Sequence, residues 1–358
     1  MKPASHIQNL KPYEAGMPIG ELQRKTGLEH IVKLASNENP FGPSPAVLAA
    51  LAHPPELNIY PDPGQHDLRM RLAAHHGVDA SQVALGNGSA ELLDLVARVF
   101  CEPGDHVVFG SPSFTCYQIA ATACQADYTA VALTENLYWD VNAILEAIRP
   151  DTKLLYLANP NNPTGDYINR HDLRKILQNL PSTAVALLDE AYVEFVEAND
   201  YVSALSMLEQ FPNLIITRTF SKAHGLAALR VGYLVATSET VNNLQRLRPP
   251  FNVNSFAQSL AMVSLDDTAH IERTVQNNTT ERARLTERLQ REGFRVEPGQ
   301  ANFVLATHET PHLQGAELFE RLLQKGVIVR KMHAPIEKWC RISIGTPEQN
   351  NALLDAIV

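Results

Sequence analysis

The sequence predicts an α/β protein in which a large unit with a mostly parallel, seven-stranded sheet is followed by a smaller α/β unit. Three observations carry this. Short apolar runs of strand length alternate with helix-like stretches through the middle of the chain, the pattern of a sheet covered by helices. The 358 residues, 45% hydrophobic and 19% charged, suffice for one large and one small core. Pro249-Pro250 then interrupts the alternation, because two prolines cannot continue a helix and favour an extended link.

In chain order the predicted strands are Gln82 to Leu85, His106 to Phe109, Asp127 to Val131, Lys153 to Leu157, Ala184 to Leu188, Leu214 to Thr217 and Gly232 to Ala236. Helices are expected between them, among them Ser89 to Phe100, Asn169 to Asn179 and Ser238 to Leu247. This gives a large unit over 43–248. Beyond the proline pair come a charge-rich helix, Asp267 to Glu292, and strands at Phe294 to Val296 and Asn302 to Leu305. A helix from Ala316 to Gln324 and strands at Val327 to Arg330 and Arg341 to Ile344 complete a small unit over 249–358.

The formal net charge of -9, with both signs mixed along the chain, argues against nonspecific nucleic-acid binding. Cys101, Cys116, Cys124 and Cys340 show no metal-ligand spacing, so no metal is expected. The start lacks the basic-then-apolar pattern of a signal peptide, and no apolar run is long enough to cross a bilayer. The expected setting is the cytoplasm, with reduced thiols.

The chemistry is concentrated in a few segments. Arg218-Thr219-Phe220-Ser221-Lys222-Ala223-His224-Gly225 runs on to Arg230. A lysine among hydroxyls with an arginine eight residues on is what an enzyme needs to hold pyridoxal phosphate as a Schiff base, with Thr219, Ser221 and Arg230 on its phosphate. The apolar run Ala184 to Leu188 delivers Asp189 at its end, where parallel-sheet ligand sites lie. An ionised aspartate there would keep the cofactor's ring nitrogen protonated, and Tyr192 could donate to the ring phenolate. The turn Asn159-Pro160-Asn161-Asn162-Pro163-Thr164-Gly165 follows the strand at Lys153 to Leu157 and offers the Asn162 amide to the same oxygen. Gly86-Asn87-Gly88-Ser89 joins a strand to a helix, so Gly88, Ser89 and Ala90 would cradle the phosphate with backbone amides. Taken singly, each segment has a plainer reading: two solvated cations, an acidic strand end, a tight turn.

With these motifs in this order the chain resembles the fold type I, pyridoxal-phosphate-dependent aminotransferases. It is more narrowly similar to the histidinol-phosphate aminotransferases, on Lys33 to Pro45, Tyr60-Pro61-Asp62, Gly86 to Ser89, Pro249 to Asn254 and Arg341 to Gly345, a likeness that runs from Tyr13 nearly to the C-terminus. The resemblance implies that 1–42 packs with the small unit and that Phe114 stacks on the cofactor ring. It implies that Tyr60 reaches the phosphate of a neighbouring subunit, hence a homodimer with shared sites. Tyr13, Arg330 and Arg341, with Asn162, would bind the substrate, two guanidiniums suiting a phosphate dianion. Structural salt bridges at Arg330 and Arg341 are the plainer alternative.

The implied reaction is transamination of histidinol phosphate with 2-oxoglutarate/glutamate in histidine biosynthesis, with Lys222 as the proton carrier. Rival readings are an aromatic amino-acid transaminase, which would share Arg341, and a decarboxylase of a phosphorylated amino acid. A noncatalytic regulator domain would need a basic helix-turn-helix segment, and none fits before Tyr13. Phe251 stands where some relatives present a tyrosine. Of the histidines only His224 is expected near the site, with His75, His76 and His333 read as structural or surface residues.

Overall fold

The computed structural model describes residues 2–8 and 10–357. Helix α1 (Ile19–Thr26), strand β1 (Val32–Lys33) and helices α2 (Pro45–Ala50) and α3 (His66–His76) precede the first strand of the large sheet, β2 (Val83–Gly86). Helix α4 (Ser89–Phe100), β3 (His106–Ser111), α5 (Cys116–Ala123), β4 (Asp127–Ala132), α6 (Val141–Ala147) and β5 (Thr152–Ala158) follow. After α7 (Arg170–Asn179) come β6 (Val185–Asp189), β7 (Leu214–Thr219), β8 (Gly232–Val235) and α8 (Ser238–Gln245).

These seven strands form one sheet in the order β2-β8-β7-β6-β5-β3-β4. Strand β8 runs opposite to the other six, antiparallel to β2 on one side and β7 on the other. Strands β2, β6 and β8 are buried at every residue, as the near-continuous apolar runs of a sheet covered on both faces require. The edge strand β4 is largely exposed. Helix starts follow from capping: Asn169, expected as the first residue of its helix, instead caps α7 by accepting from the Asp172 amide, and Thr237 does the same for α8. Strands β6 and β7 run one and two residues further than their apolar runs. Asp189 and Thr219 are therefore strand residues, fixed by ladder partners rather than by a loop.

The Pro249-Pro250 link does not separate the packing units. Helix α9 (Ser255–Asp266), capped by Asn254, turns back onto α2 and α3 and buries Ala257, Leu260 and Leu265 with Val47, Leu68 and Leu72. The change of packing partner falls after α9, at the start of the long helix α10 (Thr268–Arg291). The boundary expected at 248/249 therefore moves past Asp266, because an apolar helix face, not a proline pair, decides which core a segment joins.

The remaining elements are β9 (Arg295–Glu297), β10 (Phe303–Thr307), α11 (Gly315–Gln324), β11 (Val327–Ile328), β12 (Arg330–Lys331), β13 (Cys340–Ser343) and α12 (Pro347–Ile357). An antiparallel sheet has the order β12-β13-β10-β9, while β1 pairs in parallel with β11. Leu22 and Leu34 pack in the same core as Leu285, Val304, Leu318 and Leu353, so α1 and β1 lie on the small unit, whereas Ser5–Ile7 meets α5 of the large one. The single strand expected over Val327 to Arg330 is two, split at Val329, because its halves pair with different partners.

Candidate active site

A cavity of about 220 Å3 opens where β5, β6 and β7 end and α4 begins, against the N-terminal segment 35–38 and the strands β12 and β13. This is where open parallel sheets bind ligands. Tyr13, Ser89, Ala90, Phe114, Asn162, Asp189, Tyr192, Thr219, Ser221, Lys222, Arg230, Arg330 and Arg341 all line it.

Lys222 sits just past β7, and its Nζ donates to the Ser36 carbonyl at 3.0 Å. Its loop is held by Asn39, whose amide donates to the Ala223 carbonyl at 2.8 Å. Burial pushes the Lys222 amine down to about 7, with Arg341 and Arg230 adding to the shift and Glu38 opposing it. A neutral amine at neutral pH is a nucleophile.

Asp189 is 6% exposed. Its Oδ2 accepts from the Tyr117 hydroxyl at 2.9 Å and its Oδ1 from Thr217 at 3.4 Å. Burial raises its carboxyl to about 6, against the pull of Tyr117, the Ala191 amide and Thr217. A carboxylate so placed is suited to a cationic partner in the cavity. The Tyr192 hydroxyl accepts from the Asn37 amide at 2.9 Å, and burial pushes it up to about 12. On the opposite face of the sheet Glu190 accepts from Arg218 Nη2 at 2.8 Å, Arg218 Nε at 3.1 Å, Ser203 and the Ala204 amide. This buried pair ties the ends of β6 and β7 together directly behind Asp189 and Thr217.

At the start of α4, Gly88 has φ +79° and leads into Ser89 and Ala90, whose amides begin a 12-residue helix. A Cβ on Gly88 would collide with Arg230 Nη2, so glycine is what lets the guanidinium approach. Arg230 also donates to the Ala227 carbonyl at 3.0 Å and to Ser221 Oγ at 3.4 Å. Exposed amides at a helix start, two hydroxyls and an arginine make an anion cradle.

A second cationic region lies on β12 and β13. Arg341 donates from Nη2 to the Ala35 carbonyl at 2.9 Å and from Nη1 to Asn162 Oδ1, while its Nε is buried with no partner among the described residues. Burial lowers its affinity for a proton, and the neighbouring Arg330 lowers it further. Arg330 donates to the Glu14 carbonyl. Tyr13 meets the edge of Phe114 at 6.2 Å.

Tyr60 is not brought to this cavity. It is 76% exposed and stacks on Phe251 at 4.5 Å. His224 also turns away, its Nδ1 within 2.8 Å of Ser264 Oγ, and burial depresses it to about 4. Sequence reasoning missed Asn37, Tyr117 and Thr217 as partners of Tyr192 and Asp189. Asn37 lay inside a segment already singled out and Tyr117 three residues after Phe114, but no local signal shows which distant side chain a buried amide or phenol meets. Among the described residues no group of three or more His, Cys, Asp or Glu side chains is arranged to hold a metal ion.

The cavity thus presents an amine, an anion cradle, a buried carboxylate and a second anion site with an unpaired donor. That set fits pyridoxal phosphate: Gly88 lets the Arg230 guanidinium come up to the start of α4, where the Ser89 and Ala90 amides could share a phosphate with it, and buried Asp189 is suited to a protonated ring nitrogen.

A family model described as aminotransferase class I and II matches residues 29–357. A histidinol-phosphate aminotransferase from Geobacillus sp. (strain WCH70) is 40% identical over 359 residues, spanning 100% of this chain and 97% of its own length. Histidinol-phosphate aminotransferase 2 from Hydrogenovibrio crunogenus is 41% identical over 357 residues, spanning 98% and 94%. Among solved structures, histidinol-phosphate aminotransferase from Sinorhizobium meliloti in complex with pyridoxal-5'-phosphate is similar with a TM-score of 0.90. The identity is 28%, over 99% of this chain and 96% of that one.

Proposed function

We propose that this chain, which belongs to the class I and II aminotransferases, transfers an amino group between histidinol phosphate and the 2-oxoglutarate/glutamate pair in histidine biosynthesis. The observation that carries the substrate is the pairing of Arg330 and Arg341, with Tyr13, on one cavity wall, where Arg341 keeps a buried donor unpaired. Two guanidiniums and a phenol suit a phosphate dianion better than a single carboxylate.

Pyridoxal phosphate, when bound, supplies an aldehyde that takes up amines and a ring that accepts the electron pair left on carbon. Ser89, Ala90, Thr219, Ser221 and Arg230 would hold its phosphate, and Phe114 would offer a ring face to it. Asp189 would keep a proton on its ring nitrogen, while Tyr192 and Asn162 would donate to its phenolate. Lys222 would anchor the cofactor, and its Nζ would take the proton from the substrate carbon that bears the amine and return one. The exposure of Tyr60 and its stack on Phe251 support a homodimer in which the partner subunit's Tyr60 completes the phosphate site. Four free cysteines support a cytoplasmic setting. No helix among the described residues is long and apolar enough to cross a membrane.

The aromatic edge formed by Tyr13, Phe114 and Tyr117 favours one alternative, an aromatic amino-acid transaminase. Catalytic efficiency with histidinol phosphate, histidinol and phenylalanine decides between them. Preference for the phosphorylated donor is expected; preference for phenylalanine would replace this reading with the aromatic one.

A further inference from the structure

Both carboxylate oxygens of Asp189 are engaged by hydroxyls that the sequence motifs left unassigned, and the shorter bond, 2.9 Å, comes from Tyr117 on α5. Tyr117 is fully buried. Its ring stacks on Tyr156 at 4.7 Å and meets the edge of Phe114 at 5.9 Å, and Tyr156 is itself pinned to the Leu93 carbonyl of α4 at 2.8 Å. The phenol is therefore aimed at Asp189 by packing from α4, α5 and β5.

We propose that Tyr117 is a positioning residue for transamination, its hydroxyl keeping Asp189 a weak enough base that the proton shared with the cofactor's ring nitrogen stays on nitrogen. A carboxylate and a pyridine compete for that proton. Burial strengthens the carboxylate's claim, and a hydroxyl donor to the ionised oxygen weakens it. Tyr117 can only donate at neutral pH, since burial and the adjacent Asp189 push its own ionisation well above the usual phenol range. The other titratable groups around Asp189 do not take this role. Cys116 on α5 is a neutral thiol pushed up to about 11, and Glu190 behind the strand raises Asp189 rather than lowering it. Lys222 is bonded to Ser36, and the Tyr192 hydroxyl is bonded to Asn37. The inference rests on the ring nitrogen lying at Asp189, not on which amine is the substrate.

Tyr117→Phe removes one oxygen and keeps the stacked ring. In the purified holoenzyme, the pH midpoint of the cofactor's visible band is expected to move up by about half a unit or more, because a ring without its positive charge lets the attached Lys222 nitrogen hold its proton more tightly. Turnover should fall about tenfold, with KM for the amino donor within about twofold. In an Asp189→Asn background the same substitution should change turnover by less than about twofold, since the base it tunes is gone. An unmoved midpoint, or equal losses in both backgrounds, would overturn the proposal in favour of simple packing. Full activity of Asp189→Asn alone would instead sink the placement of the ring nitrogen. Should Tyr117→Phe lose the fold, Thr217→Val, which removes the 3.4 Å donor, must shift the midpoint in the same direction by a smaller amount, and no shift overturns the proposal.

Discussion

Arg330→Ala removes one of the two guanidiniums on the β12 and β13 wall of the cavity while leaving Arg341 held by Ala35 and Asn162. A charge-assisted contact of this kind is worth about 1.5 to 3 kcal/mol. Two features favour the lower half of that range. Arg330 is only half-buried, so water screens it, and its removal relieves the repulsion it exerts on Arg341. A loss of about 1.5 to 2 kcal/mol corresponds to about a tenfold to thirtyfold fall in kcat/KM for histidinol phosphate. Histidinol and phenylalanine lack the dianion and should lose less than about threefold. The assay is steady-state kinetics of wild type and variant on all three donors at low and high salt, because a contact to a half-buried guanidinium that water reaches should weaken as salt rises. Equal losses on the three donors, or no loss on the phosphorylated one, would refute the dianion clamp.

Lys222→Ala should abolish both transamination and the visible absorbance of bound cofactor, since no other amine among the described residues lines the cavity; a variant that keeps turnover would remove Lys222 from its role. Because burial holds the Lys222 amine near 7 rather than its ordinary value, its reactive neutral form is already abundant at neutral pH. The rate at which cofactor-free protein takes up pyridoxal phosphate, followed by stopped-flow absorbance, should rise with pH through about 7 and then level. A rate still climbing toward pH 10 would contradict this. Glu190→Gln leaves Arg218 buried without its counter-charge, the two side chains being 1% and 13% exposed. A cost of about 3 kcal/mol is expected as a lowered denaturant midpoint, and an unchanged midpoint would refute the structural role of the pair.

What the sequence made legible was local. The run Ala184 to Leu188 ends in a carboxylate because a buried parallel strand must stop being apolar where it meets a ligand, and β6 delivers Asp189 there. Ser89 to Phe100 was readable to the residue, since a glycine pair precedes an apolar helix face. What escaped depended on partners far along the chain. Val327 to Arg330 reads as one strand until β1 claims its first half and β13 its second, and β1, at Val32–Lys33, lies far back near the start of the chain. The proline pair before α9 looked like a boundary because local backbone chemistry cannot reveal that Leu260 and Leu265 find α2 and α3. Tyr117 and Asn37 were visible as residues but not as donors, for the same reason.

The hydrogen bond from Arg341 to Asn162 spans the cavity between β13 and the turn after β5. The same guanidinium that faces the second cationic region thus also fixes the turn after β5. An anion that draws Arg341 toward itself would take a donor from the Asn162 oxygen, so the filling of one wall and the orientation of an amide on the other are mechanically linked.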